Sequence, residues 1–368
     1  MEPFKNLLGY EAAKKIAKAL KKAEPSFDES LFLLELEKKL APLELKDRML
    51  ELTERLKRTL PKSQKESFAI LVNALQSNSK NEHGISGFLV WPFTQFVADE
   101  GLAHFELSMQ TLKEMTQVFT GEWAIRAFLI HNEQKTLKQM AEWAQDANEH
   151  VRRLASEGSR PLLPWGQKLY AIVEDPEKTW PILEKLKNDS SLYVRKSVAN
   201  HLNDHSKNHG DWVIEKLNSW KSSKKIESEI DWIIRHATRT LVKKGHKGAL
   251  SLHGIKRTKI KISQEKIKKQ NIKLGQALEV EVSLKNLSKE TATVIVDHEI
   301  SFLKANKKHS PKVFKGTKKT IKSNETIKIG GRIPLKDVTT RKYHFGKQFW
   351  TPIINGKKGK ALAFSLKK

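Results

Sequence analysis

The sequence has no cysteine among its 368 residues. Disulfide bonds, thiolate nucleophiles and zinc sites built on cysteine are therefore excluded. The chain also lacks a P-loop, a Rossmann glycine pattern, a G-x-S-x-G nucleophile motif and a His-Glu-x-x-His zinc motif. The segment 131–133 (His-Asn-Glu) has no second histidine at ligand spacing. We therefore expect neither a metal ion nor a cofactor.

Long hydrophobic runs are absent as well. No apolar stretch approaches the ~18 residues of a membrane span, and the N-terminus lacks the basic region and apolar run of a signal peptide. Hydrophobic residues make up 38% of the chain, with nine Trp and fifteen Phe, which is enough for folded cores. We expect a soluble cytoplasmic protein with no membrane partner.

Acidic residues are scarce in the last third of the chain. Residues 254–368 contain 29 Lys and Arg against 8 Asp and Glu, a net charge of +21. The whole chain carries +26, so residues 1–253 account for only the remaining +5. A positive charge concentrated in one segment favours a polyanionic partner. We expect residues 254–368 to form a domain that binds nucleic acid.

Residues 1–253 show helical periodicity, as in 10–22, where Ala, Ile and Leu recur at helical spacing. A pattern Asp-x-x-x-x-Val-Arg occurs at 146–152 and again 43 residues later at 189–195, with a weaker Ile-Arg copy at 234–235. A period of about 40 residues predicts HEAT-like helical hairpins stacked into an α-solenoid. The Asp is expected to cap the second helix of each hairpin, and the Val to pack inward.

The arginines of this repeat, Arg152 and Arg195, allow two interpretations. Each can pair with the Asp of a neighbouring repeat, which is the usual structural role in such solenoids. Alternatively, they line the concave surface that stacked repeats present and there contact phosphates. The pattern alone leaves both open.

Residues 254–368 change to short alternating runs, which predict an antiparallel immunoglobulin-like β-sandwich without its disulfide. A small β-barrel remains the alternative. Asn355-Gly356 predicts a tight hairpin turn. The predicted strands are Leu278–Leu284, Val294–Ile300, Thr326–Ile329, Trp350–Ile354 and Ala361–Leu366. The fold class is therefore mostly α with an added β domain.

Three carboxylates stand out in the helical region. Glu122 comes just before a predicted helix, whereas Glu157 and Asp204 lie near the C-terminal ends of the second helices of successive hairpins, where the helix dipole disfavours a negative charge. Two prolines within 161–164 restrict the backbone before Trp165. A structural interpretation makes Glu122 an N-cap, Asp204 a turn residue and Trp165 a core residue.

The segments 121–126, 151–165 and 194–204 resemble the HEAT-like DNA alkylation-repair glycosylases, and the AlkC branch more closely than AlkD. The run Ser-Glu-Gly-x-Arg-x-x-Leu-Pro-Trp at 156–165 is the most specific part of the resemblance, although Leu162 stands where the family often has a basic residue. The resemblance covers essentially the whole chain, because some AlkC-type proteins carry a C-terminal immunoglobulin-like domain.

The resemblance implies a monofunctional glycosylase that acts on double-stranded alkylated DNA and removes N3-methyladenine and related cationic bases. It implies a catalytic site with Glu122, Glu157, Asp204 and Trp165. It further implies DNA contacts from the arginines at four positions: Arg126, Arg152, Arg160 and Arg195. We expect a monomer, since a lesion on one strand needs no two-fold symmetry, and association with the nucleoid when it is bound to DNA.

These residue types suit the chemistry. A cationic alkylated purine leaves as a neutral base, so no strong general acid is required, and a carboxylate can stabilise the oxocarbenium-like sugar and position water. Two other classes remain open. One is a non-catalytic HEAT scaffold that binds nucleic acid through its β domain, and the other is a HEAT adaptor for an acidic protein. A scaffold would tolerate replacement of Asp204, whereas a glycosylase would not.

Overall fold

The computed structural model describes residues 3–76, 84–221, 228–255, 259–338 and 342–368. Its contacts divide the chain into two compact units. The first unit consists of Met1–His209 and Ser223–Ala237, and the second of Gly210–Ser222 and Thr238–Lys368. The change from helix to strand comes between Leu252 and Ile260, close to the predicted boundary at residue 254, but contacts group three preceding helices with the β-sheets.

The described residues before Ile260 are predominantly α-helical. Short 3₁₀ helices occur at Phe4–Leu8, Gly87–Val90 and Pro176–Thr179. The α-helices are α1 (Tyr10–Ala23), α2 (Glu29–Leu33), α3 (Leu36–Leu40), α4 (Leu45–Thr59), α5 (Gln64–Asn73), α6 (Trp91–Glu100), α7 (Phe105–Thr116), α8 (Ile125–His131), α9 (Glu133–Trp143), α10 (Glu149–Gly158), α11 (Tyr170–Glu174), α12 (Trp180–Leu186), α13 (Leu192–His205), α14 (Gly210–Lys221), α15 (Ser228–Ala237), α16 (Arg239–Lys243) and α17 (Lys247–Leu252).

Helices of the first unit stack as successive hairpins. Helix α9 packs on α10 and on α12, while α10, α13 and α15 follow one another as neighbours in a second row. Val151 and Val194, the repeated valines, are fully buried in this stack, as predicted from their spacing. The second helices of the repeats therefore lie side by side, which brings the C-terminal ends of α10 and α13 close together.

The repeated arginine supports the stack from its side. Arg152 donates from Nε and Nη2 to the two carboxylate oxygens of Asp189 in the next repeat, at 2.6 and 3.0 Å. Arg235, in the weaker third copy, pairs with Asp231 of its own helix instead. Of the two interpretations of Arg152, the structure thus shows the pairing between repeats.

The repeated aspartate does not cap its helix directly, so that expectation was wrong. Asn148 is the N-cap of α10 and accepts from the backbone N–H of His150 at 2.8 Å. Asp146 instead accepts from the N–H of Asn148 at 2.8 Å. Asp146 thus lies two residues before the N-cap, and its hydrogen bond closes an Asx turn that leads into the helix.

The second unit contains two β-sheets. One has the strand order β1-β3-β6 and the other β2-β9-β7-β4-β5, with β8 paired to β7. Buried side chains from both sheets, including Val280, Ile300 and Trp350, form a shared core, which gives the sandwich its two layers. The strands are β1 (Ile260–Ile267), β2 (Asn271–Lys273), β3 (Ala277–Asn286), β4 (Ala292–Leu303), β5 (His309–Ile321), β6 (Thr326–Pro334), β7 (Gly346–Ile354), β8 (Lys357–Lys358) and β9 (Leu362–Lys367).

The five predicted strands correspond to β3, β4, β6, β7 and β9. Asn355 and Gly356 adopt positive φ angles of 48° and 78°, as a type I′-like turn requires. The turn leads from β7 into the short β8 rather than directly into β9, although β9 also pairs with β7. A Cβ on Gly356 would lie 2.1 Å from the Cα of Gly245, so only glycine fits there.

Within the described ranges, none of the helices combines the length and the hydrophobicity that a membrane span requires.

We predict that Arg152→Ala lowers the free energy of local unfolding of α10 and α13 by about 1–3 kcal/mol, because a largely buried, charge-assisted hydrogen-bond pair is lost. Arg235→Ala is the matched control: its ion pair is exposed and should contribute less than about 0.5 kcal/mol. Amide hydrogen exchange measures both. Equal effects of the two variants would show that the pairing between repeats does not stabilise the stack.

Candidate active site

The three carboxylates singled out from the sequence lie on successive elements of the first unit. Glu122 precedes α8, Glu157 is near the end of α10 and Asp204 is near the end of α13. All three are buried, with 7%, 6% and 3% of their surface exposed. Burying a carboxylate requires a compensating partner, because its hydration is lost.

Two arginines bridge the carboxylates. Arg160 contacts Glu157 Oε1 through Nη1 at 2.7 Å and Asp204 Oδ2 through Nε at 2.9 Å. Arg153 contacts Glu122 Oε2 at 2.5 Å and Glu157 Oε1 at 3.4 Å. Burial lowers the pKa of Arg160, but the charges of Glu157 and Asp204 and its hydrogen bonds to them outweigh that effect, so its pKa is raised. The guanidinium is therefore a permanent positive charge at the centre of the cluster.

The contacts do not occupy all carboxylate oxygens equally. Asp204 uses both, since Lys207 Nζ lies 3.0 Å from Oδ1. Glu122 is engaged only through Oε2, to Arg153 and to the hydroxyl of Thr120, and Glu157 only through Oε1, as far as the described residues go. Oε1 of Glu122 and Oε2 of Glu157 thus remain able to accept a hydrogen bond from water or substrate.

The structural interpretations of these residues do not fit the geometry. Ala124 occupies the N-cap position of α8, without a side-chain cap, so Glu122 does not cap that helix. Asp204 lies within α13 and not in a turn. Trp165 is 63% exposed and does not belong to the core. An exposed tryptophan and three converging carboxylates are better explained by a binding site.

Trp165 adopts an uncommon backbone conformation, with a φ of 63°. A bulky residue in the left-handed region is strained, and such strain concentrates at functional sites. Its ring is parallel to those of Trp91 and Trp123, with centroids 6.5 Å away and interplanar angles of 11° and 22°. The indole N–H of Trp123 also donates to the carbonyl of Pro164 at 3.3 Å. The exposed ring is thus held in one orientation by an aromatic surface behind it.

Arg126 fixes the loop that carries Trp165. It is 1% exposed and donates to the carbonyl oxygens of Gly158, Arg160 and Gln167, at 2.7–2.9 Å for its main contacts. Burial and the nearby Arg160 lower the pKa of Arg126 to about 10. In this structure the donors of Arg126 are used by carbonyl groups of the protein, so its expected role in lining a DNA groove stays a prediction.

The other arginines expected to contact DNA are also engaged within the protein. Arg160 is 7% exposed and belongs to the carboxylate cluster, and Arg152 pairs with Asp189. Arg195 donates from Nη1 to the carbonyl oxygens of Asp189 and Ser190 at 2.7 and 2.8 Å. None of these three is presented as a free phosphate ligand, so DNA contact by them stays a prediction.

Several residues of the site were missed from the sequence. Arg153 follows the repeat arginine Arg152 in the chain, but its side chain points towards Glu122 and Glu157. Its guanidinium also lies 4.9 Å from the ring centre of Tyr193. A signal existed: Arg153 and Glu157 are four apart in one helix and therefore face the same side. Trp91 carried no such signal, since it is remote in sequence.

Two buried histidines lie next to the cluster on α13. The Nδ1 of His201 is 2.9 Å from the carbonyl oxygen of Ser156, so Nδ1 donates, and its Nε2 has no hydrogen-bond partner among the described residues. The ring of His201 lies 5.0 Å from that of His205. Burial lowers the pKa of His201 well below 6.5, aided by the charges of His205, Arg160 and Arg126, and burial lowers that of His205 to about 3.

No group of three or more His, Asp or Glu side chains within the described ranges could hold a metal ion. The arrangement instead offers two partly free carboxylate oxygens close to a cationic network and a rigid exposed aromatic ring. Such a site can stabilise a developing positive charge, orient water and stack on a planar group.

Residues 48–241 match the family described as DNA alkylation repair enzyme, and the chain belongs to that family. Residues 261–368 match a family described as the C-terminal Ig-like domain of uncharacterised protein YhaZ. The chain is 39% identical to YhaZ of Bacillus subtilis (strain 168), over 100% of both chains. It is also similar to Pseudomonas fluorescens alkylpurine DNA glycosylase AlkC bound to DNA containing an abasic site analog, with 35% identity, a TM-score of 0.88 and 100% of both chains covered. The resemblance to the AlkC branch, and the α-plus-Ig-like fold class, are confirmed.

We predict that the helical unit loses stability as the pH falls below 6.5. The pKa values of His201 and His205 are lower in the folded than in the unfolded protein, so the unfolded state takes up protons first. Each buried histidine should cost about 1.4 kcal/mol per pH unit between 6.5 and its lowered pKa. Urea unfolding followed by helical circular dichroism at pH 7, 6 and 5 measures this loss.

The variant His201→Asn tests the assignment, because an amide can replace the Nδ1 donor to Ser156 without titrating. Its pH dependence should be shallower than that of the wild type, by about 1.4 kcal/mol per unit. The exposed His131 provides the matched control, and His131→Asn should follow the wild type. If His201→Asn showed the same pH dependence as the wild type, the buried imidazole of His201 would not cause the loss of stability at low pH.

Proposed function

We propose that the protein is a DNA glycosylase that hydrolyses the N-glycosidic bond of cationic alkylated purines in duplex DNA, with N3-methyladenine as the favoured lesion. The observation that carries the proposal is the exposed, conformationally fixed Trp165 on the loop that follows Arg160, which itself belongs to the buried carboxylate cluster of Glu122, Glu157 and Asp204. Similarity over the whole chain to an alkylpurine DNA glycosylase supports it.

The partly free oxygens of Glu122 and Glu157 stabilise the positive charge that develops during the reaction. As the bond from the sugar to the cationic base breaks, the positive charge passes from the base to the sugar, which becomes oxocarbenium-like. A carboxylate oxygen beside the sugar stabilises that charge and accepts a proton from the attacking water. The base leaves neutral, so the site needs no acid to protonate it.

Asp204 acts through Arg160 in this proposal. Both of its oxygens are engaged, one by Arg160 and one by Lys207, whereas Arg160 in turn holds Oε1 of Glu157. Asp204 thereby fixes the guanidinium that orients Glu157, and Oε2 of Glu157 faces the reacting sugar. Replacing Glu157 should therefore lower the rate of base release more than replacing Asp204.

Trp165 provides a face for the damaged nucleotide. A cationic base over an indole ring gains about 0.5–2 kcal/mol from cation–π attraction, which a neutral adenine does not share. Trp91 and Trp123 support the ring from behind, so the contact costs little side-chain entropy. The proposed preference for charged lesions rests on this ring together with the free carboxylate oxygens.

The basic β domain supplies a grip that is independent of sequence. Phosphate contacts position a protein on DNA without reading its bases, which suits a search for rare lesions. Residues 254–368 carry the net charge of +21 that such a grip requires. We propose that the enzyme acts as a monomer. We also propose that it is a monofunctional glycosylase. In the described part of the chain, Lys207 is the only lysine paired to the carboxylate cluster, and its amine is engaged by Asp204 instead of being free to form a Schiff base.

The first test is release of N3-methyladenine from methylated duplex DNA, measured by chromatography under single-turnover conditions. We expect Glu157→Gln to lower the rate about 10²–10³-fold, as for the loss of one preorganised electrostatic group. Asp204→Asn should have a smaller effect in the same direction, and Glu142→Gln, on the exposed side of α9, should have none.

DNA binding by each variant is measured in parallel. Lost release with intact binding supports the glycosylase. No release of any base by the wild type, with binding intact, would move the protein to the class of non-catalytic scaffolds and would make the carboxylates structural.

The second test concerns Trp165. Trp165→Ala should slow release of the cationic base by roughly 2–30-fold, the equivalent of the cation–π energy. Trp165→Phe retains an aromatic face and should recover part of the rate. Identical rates for the alanine, phenylalanine and wild-type proteins would exclude stacking on this ring from the proposed mechanism.

A further inference from the structure

A cavity of about 340 Å³ opens in the β unit, between strands of its two different sheets. Strands β5 and β6 are edge strands, each the last in its sheet order, and they contribute the walls. The lining residues are His298, Phe314, Lys315, Gly316, Thr317, Gly330, Gly331, Arg332, Ile333 and Pro334. None of these lining residues is acidic. A ligand in the cavity could contact their side chains and also the backbone of the two edge strands.

The local backbone is shaped to leave this space open. The register between β4 and β5 shifts between Val296 and His298, so Lys315 and Gly316 together oppose Asp297 in a bulge. A Cβ on Gly331 would lie 2.5 Å from Nε2 of His298, and one on Gly316 would lie 3.2 Å from the same atom. Both glycines keep the Nε2 edge of the imidazole uncovered by side chains.

The tautomer of His298 follows from its partner. The indole N–H of Trp350 donates to Nδ1 of His298 at 3.3 Å, and an indole nitrogen can only donate. Nδ1 is therefore the acceptor, and Nε2 carries the proton. The residue is 4% exposed and lines the cavity, yet no described residue accepts a hydrogen bond from Nε2. Nε2 therefore opens onto the cavity as a donor that an acceptor atom bound there can use.

The remaining polar groups of the cavity are donors or cations. Lys315 and Arg332 are both exposed at its rim, and the Thr317 hydroxyl adds a further possible donor. Asp297 is an acidic neighbour of the cavity, and its Oδ1 accepts from the backbone N–H of the lining residue Gly316 at 2.9 Å, so that N–H is already used. Arginine and lysine around an imidazole N–H form a combination that suits phosphate oxygens.

We infer that this cavity is a phosphate-binding site, with Nε2 of His298 at its floor and Lys315 and Arg332 at its rim. The same chemistry fits two sources: a backbone phosphodiester of DNA and the phosphate of a free mononucleotide. The DNA source rests on the proposed function, since it makes the cavity one fixed point of the grip on the duplex. The mononucleotide source does not depend on it.

The experiment uses the full-length protein and the probe 2′-deoxyadenosine 5′-monophosphate, with an undamaged duplex as the second probe. The indole N–H resonance of Trp350 is the reporter, assigned with Trp350→Phe, because Trp350 hydrogen-bonds the imidazole from the opposite side. Either probe, when bound at Nε2, should shift that resonance saturably. Affinity for each probe is measured separately by calorimetry or fluorescence anisotropy.

Two variants change the site and one matched variant does not. Gly331→Ala fills the space over Nε2, and Arg332→Gln removes one rim charge without touching the core; each should weaken binding about tenfold, as for the loss of a hydrogen bond to a charged group. Lys285→Gln removes the same charge from the neighbouring strand β3, outside the cavity, and should change affinity less than about twofold. A melting temperature like that of the wild type shows that each variant is folded.

The outcomes separate the sources. Weakened duplex binding with no effect of the mononucleotide supports backbone phosphate, and the reverse supports the free nucleotide. If neither probe shifts the Trp350 resonance, or if all three variants behave alike, the site is overturned and the binding is diffuse. Base release at saturating enzyme is assayed alongside: it should persist in all three variants, so failure of this site and failure of the glycosylase proposal give different results.

Discussion

Three buried carboxylates would repel one another if Arg153 and Arg160 did not lie between them. The attraction is large only because the side chains are largely shielded from water, and the same shielding makes an unpaired charge costly. The cluster therefore exists only while the ends of α10 and α13 stay in register. Contacts outside the cluster maintain that register. One of them is the pairing of Arg152 with Asp189, which joins two repeats.

A second constraint acts on the loop after α10. A Cβ on Gly158 would lie 2.5 Å from Ile125, so the helix can approach α8 only because this residue is glycine. Arg126 then ties the following carbonyl groups to α8. The strained conformation of Trp165 can persist because these contacts over-determine the loop. Arg126 thus holds the loop that presents the exposed ring of Trp165.

The sequence predicted those elements in which the spacing of apolar residues reflects which side chains are buried. Spacing predicted the inward valines of the repeats, and alternation predicted β3, β4, β6, β7 and β9. Strand β5 was missed, because an exposed edge strand rich in lysine shows almost no apolar alternation. The carboxylates were found through a motif, whereas the aromatic support from Trp91 depends on tertiary packing that no local pattern encodes. The spacing of the arginines could not predict their partners within the protein for the same reason, because a guanidinium at a given position can turn inward or outward.

The balance of charge in the cluster limits how the site can discriminate. Arg153, Arg160 and Lys207 match the three carboxylates one for one, so the cluster has no formal excess of negative charge with which to attract a cation. In the proposed mechanism, selectivity for a cationic base must then come from how the protein holds the partly free oxygens of Glu122 and Glu157 and the exposed indole face of Trp165. Such a preorganised arrangement stabilises a charge that develops there more than one already present in the ground state. A site of this kind gains rate from geometry, and for that reason depends on the stacking of the repeats as much as on its own residues.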